Sequence, residues 1–368
     1  MRITFVSSDG RCGIYEYTQV LRAGFGALGH ATTYVGVPRW DNRALRDAVR
    51  RVDRDCDCVV FEYEPGIFRL RALVRAIAYL RIWRRKPVLL SVHEIEAAKY
   101  PEYHHIQQRL SQPVRFGRLL EYPRIAWSTL DVALRYLVLR LFLYLLGQFS
   151  GQIVVHSSRA RENIGLITGR VDQVPTVPLV IKSQDGDVGE LRDTLHLPQE
   201  RFVFIVPGFI FRRKRIVEVI NQLPADATLL VVGTPAVYEP EYVQEVVEHA
   251  ASRSQLDVRV IQDYERMELY LLASDAVVLY YQDGYQSASA CLALGAGKPC
   301  VFSSLPAFAI YQEGGLVAAN DRELGSAMQA IRDPETYNRL HQGALVLRDR
   351  YSPSRIAAWY LDTMRELF

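Results

Sequence analysis

The chain is predicted to be an α/β protein made of two doubly wound parallel-sheet domains. Three observations predict this. Short apolar runs rich in β-formers alternate with helical stretches from the first residues onward. Glycine or polar clusters follow the ends of those runs, where open parallel sheets carry their ligand loops. The pattern then breaks at Pro175, Pro178 and a polar run over 182–189, and restarts. A length of 368 residues suits two domains, each large enough for its own core. The expected boundaries are 1–180 and 181–351, with a capped amphipathic helix over 352–368 packing back across the junction.

Composition excludes several classes. Apolar residues are 49% and charged residues 23%, an ordinary globular balance. A net charge of +3, with no basic run interleaved with aromatics, argues against a nucleic-acid partner. The five cysteines (Cys12, Cys56, Cys58, Cys291, Cys300) contain no CxxC pair and are odd in number. A disulfide framework or a cysteine metal site is therefore not expected, and a reducing cytoplasm is the easier setting. Arg2 to Ser8 begins a strand at once, which leaves no room for a signal peptide.

Taken in order, Arg2 to Ser8 is a strand, Asp9 to Gly13 a glycine-containing loop, and Tyr15 to Leu28 a helix. The spacing of Gly10 and Gly13 does not fit GxGxxG, so the loop is either a tight turn or a close backbone approach to a ligand. Strands follow at Ala31 to Val37, Cys58 to Glu62 and Pro87 to Val92, with helices around Arg43 to Arg54 and Phe68 to Arg84. Glu62, Tyr63 and Glu64 end one strand, and His93 and Glu94 end the next. A strand-end histidine is often structural, but carboxylates beside it can tune it as a proton acceptor or hydroxyl partner.

Residues 100–127 read as an irregular insertion. Asp131 to Phe149 is the most apolar helix, interrupted by Arg135 and Arg140 and too short in its apolar run to span a membrane. With Arg69, Arg71, Arg75, Arg81, Arg84, Arg85 and Lys86 it forms either a membrane-facing side or a core helix beside a solvated basic one. Gln152 to His156 is the next strand, and Ser157 and Ser158 cap a helix.

In the second half, Phe202 to Val206 is a strand. It is followed by Pro207-Gly208, the basic loop Arg212, Arg213, Lys214, Arg215, and a helix over Ile216 to Leu223. Four cations at a strand–loop–helix junction suit a diphosphate, because side-chain charge and helix dipole add. Thr228 to Val232, Val258 to Ile261 and Ala276 to Tyr281 continue the sheet. Asp283-Gly284 then turns the chain, and Ser287 or Ser289 caps a helix over Ala290 to Ala296. Gly297 ends that helix, and Cys300 to Phe302 is a further strand. The start of the helix is a second place for phosphate.

The segments CGIYEYT (12–18), VHE (92–94), VVHSS (154–158), PGFIFRRKR (207–215) and SDAVVLYY with LALGAGKPCVFS (274–303) together resemble the GT-B nucleotide-sugar glycosyltransferases, in particular their family 4, over nearly the full length. The resemblance implies two Rossmann-like domains facing a central cleft, with the acceptor on the first and the donor on the second. It implies retaining transfer of a sugar from a nucleoside diphosphate sugar to a hydroxyl, with no cofactor and no obligatory metal. It places Gly13 in the N-terminal donor loop and His93 at the position of sugar contact or catalysis. Gly208 and Lys214 match the G-x5-K element, with Lys214 on the diphosphate, and 296–299 match the A-x-G-x-P run. The E-x7-E glutamates of the family are replaced by Gly284 and Leu292, and the arginine usual after Gly208 by Phe209. Arg212, Arg213, Asp283, Gly284, Gln286, Ser287 and Ser289 are then the expected substitutes for donor binding, and Glu62, Glu64 and Glu94 the expected acceptor contacts. A glycan or lipid-linked acceptor at the inner face of a membrane fits the basic and apolar helices. Two further classes stay open: a catalytically degenerate GT-B protein that binds nucleotide or glycan without transfer, and a nucleotide-sugar epimerase.

Overall fold

The computed structural model describes residues 1–10, 12–64, 66–93, 137–138, 140–168, 174–236, 239–284 and 286–368. The chain divides into two compact units, Met1–Pro178 with Ser354–Phe368, and Leu179–Pro353.

The first unit holds a five-stranded sheet of β1 (Arg2–Ser8), β2 (Ala31–Val37), β3 (Cys58–Tyr63), β4 (Val88–Val92) and β5 (Gln152–Val155), in the order β2-β1-β3-β4-β5. Every pairing is parallel. β3 and β4 are buried at every position, as strands covered on both faces must be. Each aliphatic or aromatic side chain so enclosed contributes about 1.5–3 kcal/mol. The helices are α1 (Gly13–Ala27), α2 (Asn42–Arg51), α3 (Leu70–Ala78), α4 (140–149) and α5 (Ser158–Thr168). Asp41 caps α2 by accepting from the amides of Arg43 and Ala44. The helix expected over 68–84 stops at Ala78 and continues as a single π turn over Tyr79–Trp83. The insertion expected over 100–127, and Glu94 with it, lies outside the described residues.

The second unit has a helix near its start where a linker is expected. The polar run read as a linker ends in α6 (Val188–Thr194), capped by Asp187 on the amide of Glu190. Its six strands are β6 (Phe202–Pro207), β7 (Ala227–Val232), β8 (Asp257–Ile261), β9 (Ala276–Leu279), β10 (Cys300–Ser303) and β11 (Gly315–Ala318). They are ordered β11-β10-β9-β6-β7-β8, again all parallel. The helices are α7 (Ile216–Asn221), α8 (Tyr242–Ser252), α9 (Met267–Ala273), α10 (Ala288–Gly295), α11 (Asp321–Ala330) and α12 (Pro334–Arg350). The last helix, α13 (Pro353–Arg365), buries Ile356, Ala357, Tyr360 and Met364, and all but its first residue belongs to the first unit.

Both sheets have a topological switch point, where successive strands are added on opposite sides of the founding strand. In the first unit it lies between β1 and β3, and in the second between β6 and β9. The carboxyl edge beside such a point is where doubly wound sheets take ligands.

Candidate functional site

At the switch point of the second unit, the loops after β6 and β9 meet. Gly208 leaves β6 with φ +92, a left-handed conformation open to glycine at little cost. A Cβ there would stand 3.1 Å from Lys214 Nζ and 3.5 Å from Ser289 Oγ, so the three form one cluster. The next loop presses against it from behind, since a Cβ on Gly233 would fall 1.9 Å from the carbonyl oxygen of Gly208. Gly208 also donates its amide to Val232 O at 2.9 Å, which pins the loop to the end of β7.

Lys214 sits in a 3-10 turn over Arg212–Lys214 that ends at Arg215, itself left-handed at φ 51. Its side chain is folded inward and only 4% exposed. The ammonium donates to the carbonyl of Pro207 and lies 5.4 Å from the ring centre of Phe211 and 5.9 Å from that of Tyr281. Among the described residues it has no carboxylate partner within ion-pair distance. Burial first, and the neighbouring Arg213 guanidinium second, lower its pKa from the usual lysine range to about 7.

Ser287 caps α10 by accepting from the amide of Ala290 at 3.1 Å, which leaves Ser289 one residue inside the first turn. Ser289 Oγ lies 3.5 Å from Pro207 O, the same carbonyl that Lys214 uses. Gly284 and Gln286 lie in the turn before this helix, and Asp283 pairs across it with Arg213 at 3.6 Å. Arg212 departs from expectation. Its guanidinium pairs with Glu245 at 2.6 Å and stacks 4.9 Å from the ring of Tyr242, so it is committed to α8 rather than to Lys214. Arg215 is likewise spent on Glu218 and Asp321. The basic loop thus supplies one inward cation, not four. Lys298, in the run matched to A-x-G-x-P, donates to Leu272 O at 2.7 Å and serves the fold. Beside Gly208, Phe209 is half exposed and stacks on Tyr264, with ring centres 5.7 Å apart and planes at 26°. In the sequence Phe209 stands out only as the residue in place of an arginine, and its partner Tyr264, 55 positions on, carries no signal of the pairing.

In the first unit, the strand ends carry a second cluster. Glu62 is fully buried on β3, in register with Ser91 on β4. Its Oε2 lies 2.7 Å from His93 Nε2, while Oε1 has no hydrogen-bond partner. His156, after β5, places Nδ1 2.8 Å from Val177 O and Nε2 3.1 Å from Ser91 Oγ. Ser91 continues to the Tyr360 hydroxyl at 2.8 Å, and Tyr360 to that of Tyr17 at 3.1 Å. The ring of Tyr17 stands edge-on to both imidazoles, at 4.8 and 5.3 Å. Burial raises the Glu62 carboxyl to about 7 and lowers both histidines to about 3.

Glu62, His93 and His156 each bring one ligand-type atom within 4.8 Å of the others, a spacing a metal ion can use. Four of their polar atoms are engaged: both nitrogens of His156, and Nε2 of His93 with Oε2 of Glu62, are hydrogen-bonded inside the protein. The cluster is a proton network. Glu62, expected as an acceptor contact, is fully enclosed here and its one hydrogen bond goes to His93. Glu64 is partly buried just beyond β3. Gly13 is exposed at the start of α1, where a Cβ would meet nothing within 4 Å, so packing does not require a glycine there. His156, Ser91, Tyr17 and Tyr360 were not singled out from the sequence. The available signal was a polar residue inside or just after an apolar strand, as in LLSV and VVH.

No known family profile and no curated protein sequence matches the chain. Solved structures do match it in shape. HepE of Anabaena, solved with UDP-glucose, gives a TM-score of 0.70 at 15% identity, covering 99% of this chain and 99% of that one. A glycosyltransferase of Rickettsia africae gives 0.68 at 11% identity, over 100% and 98%. Sucrose-phosphate synthase of Thermosynechococcus elongatus gives 0.66 at 17% identity, over 100% and 99%. At these identities the likeness establishes the fold, which is GT-B.

Proposed function

We propose that this protein transfers a sugar from a nucleoside diphosphate sugar to a hydroxyl acceptor, with retention at the anomeric carbon. One observation carries the reading: Lys214, buried with no acidic partner among the described residues, meets Gly208 and the first turn of α10 at the switch point of the second sheet. A diphosphate placed there gains the lysine charge, the hydroxyl of Ser289 and the unpaired amides at a helix start. When the sugar departs, negative charge grows on the bridging phosphate oxygen, and these groups stabilise it. Phe209 and Tyr264 offer a planar face for the base beside the same glycine. Uridine is the base to try first, because HepE has been solved with UDP and with UDP-glucose. His93 offers a ring nitrogen to a hydroxyl of the substrate.

Proton linkage provides the test. In the free protein Lys214 titrates at about 7, so at about pH 8 it is mostly neutral. A bound diphosphate restores its proton, because an adjacent anion favours the charged form. UDP binding at that pH should therefore take up close to one proton, and affinity should fall as pH rises above about 7. Calorimetry in buffers of different ionisation enthalpy reads the proton count directly. Binding with no buffer dependence would remove Lys214 from the phosphate site. Turnover of UDP-sugars over glycan and lipid-linked acceptors then separates transfer from binding alone. Nucleotide binding without any turnover would favour a protein that binds nucleotide without transfer.

The acceptor is proposed to be lipid-linked and reached at a membrane surface. Leu137, Leu141 and Tyr144 are exposed at helical spacing, and Ile82 and Trp83 are exposed on the π turn. Arg71 lies over the ring of Phe142, which brings the basic and apolar helices together. Arg84 and Lys86 drop out of the basic face, since they donate to backbone carbonyls at 50–56. Arg69, Arg71, Arg75, Arg81 and Arg85 remain exposed. No helix among the described residues is long and apolar enough to cross a bilayer. The protein should sediment with vesicles containing anionic lipid and release as salt rises, since each surface cation contributes about 1 kcal/mol near such a leaflet. Equal recovery with neutral vesicles would exclude an electrostatic contact.

A further inference from the structure

We propose that Glu62 sets the tautomer of His93, and so decides whether the outer ring nitrogen of that histidine offers a lone pair or a proton to a ligand hydroxyl. The ligand role of His93 rests on the transferase reading above; the tautomer itself does not.

Val177 O can only accept, so His156 carries its proton on Nδ1 and presents a lone pair at Nε2. Ser91 must then give its single proton to His156. Its oxygen accepts from Tyr360, and the oxygen of Tyr360 accepts from Tyr17. The chain runs in one direction, from Tyr17 through Tyr360, Ser91 and His156 to Val177, and no proton in it is left for Glu62. Ser91 lies near enough to ease the burial of that carboxyl, but its proton is already committed. Glu62 is left with one partner, His93 Nε2, and one bare oxygen.

Three proton arrangements satisfy the 2.7 Å contact; one of them, an imidazolium against a carboxylate, is disfavoured because burial holds His93 far below its usual range. Two arrangements with a neutral ring remain. In the acid form, Glu62 Oε2–H donates to Nε2, and His93 carries its own proton on Nδ1. In the basic form, the carboxylate accepts from Nε2–H, and Nδ1 is a lone pair. They differ by one proton. Going from acid to base, Nδ1 releases a proton to solvent while the buried proton crosses from Oε2 to Nε2. This explains how a carboxyl with no exposed surface can titrate at all: its proton leaves through the imidazole, whose side chain is 8% exposed. Nδ1 of His93 has no hydrogen-bond partner among the described residues. The titratable groups facing Glu62 among those residues are His93, His156, Tyr17 and Tyr360. None of them is a cation at neutral pH, since burial holds both imidazoles far below their usual range. With no positive charge to hold the carboxylate, the crossover lies near neutrality instead of in the ordinary carboxyl range. Glu62 is accordingly a positioning residue.

The test uses full-length protein labelled with ring-15N histidine, with the His93 signals identified by their absence in His93→Gln. From about pH 5.5 to about 8.5, across the range in which histidine normally titrates, the His93 proton should move from Nδ1 to Nε2 with the ring neutral throughout. In Glu62→Gln this pH step should vanish, leaving one tautomer at every pH. A wild-type ring that keeps one tautomer across the range, or that becomes doubly protonated within it, overturns the proposal. So does a step that persists in Glu62→Gln. Should that variant fail to fold, the wild-type titration still decides, because an absent step is fatal by itself. Where turnover is measurable, the same step should appear in the pH profile of kcat/KM and be lost in Glu62→Gln. A protein with the tautomer step but no transfer would defeat the transferase reading and leave this inference standing.

Discussion

Replacing Lys214 by methionine is expected to lower turnover by about two to three powers of ten, the range seen when one donor to a developing oxyanion is removed. The fold should survive. Methionine follows the path of the lysine stem between Phe211 and Tyr281, and it relieves the cost of enclosing an amine that burial already drives toward neutrality. The loss on the folded side is the hydrogen bond to Pro207 O, about 1 kcal/mol, which Ser289 Oγ at 3.5 Å is placed to replace in part. Arginine should not rescue activity, because a planar guanidinium cannot occupy a slot shaped for one ammonium. Arg212→Ala should cost far less than Lys214→Met, because its charge is already shared with Glu245 on α8. Kinetics on the three variants, with melting temperatures beside them, decide the matter. Near-normal turnover in Lys214→Met, or equal losses in Lys214→Met and Arg212→Ala, would defeat the assignment.

That contrast shows where the sequence was readable and where it was not. The strands were legible because each is a short run of β-branched and apolar residues closed by a polar or glycine break. Arg2 to Ser8 and Ala31 to Val37 match their observed bounds. Helix ends were less clear. Nothing in the residues around Tyr79 marks the change from α to π winding, and the cap at Asp187 was hidden in a run that looked like linker. The cations of the basic loop were legible as charges but not as directions. Their acidic partners Glu245, Asp283 and Asp321 lie tens of residues away, and only tertiary packing shows that the three arginines each face a carboxylate while Lys214, among the described residues, does not. The buried network was harder still. Glu62 and His93 are visible as strand-end polar residues, but Tyr360, from the far end of the chain, enters only because α13 packs on the first sheet. Ser91 reads in sequence as a minor break in an apolar strand. Its value depends on being the one hydroxyl between a phenol and an imidazole.

Gly233→Ala is expected to have the second-largest effect, and it acts on stability and binding together. An added Cβ would fall 1.9 Å from Gly208 O and 2.6 Å from its carbonyl carbon, both of them backbone atoms that no rotamer change can move aside. One of the two loops must shift. β6 and β7 hold them in register up to Pro207 and Val232, so the displacement is forced onto Gly208 and the residues after it. Overpacking of this kind costs about 1–3 kcal/mol, equivalent to a fall in melting temperature of roughly 2–4 °C per kcal/mol in a domain of this size. Because Gly208 sets the distance between Lys214 and Ser289, nucleotide affinity should fall by about tenfold or more even below the melting transition. The comparison variant is Gly26→Ala in α1, where a Cβ meets nothing and alanine favours the helix, so stability should hold or rise slightly. Gly233→Ala and Lys214→Met then separate shape from charge. The first should lose stability and binding, and the second should lose turnover and the proton taken up on binding while keeping its melting temperature. Full nucleotide affinity in Gly233→Ala would mean that the Gly208 loop does not carry the diphosphate, and the site would have to be sought elsewhere on the second sheet.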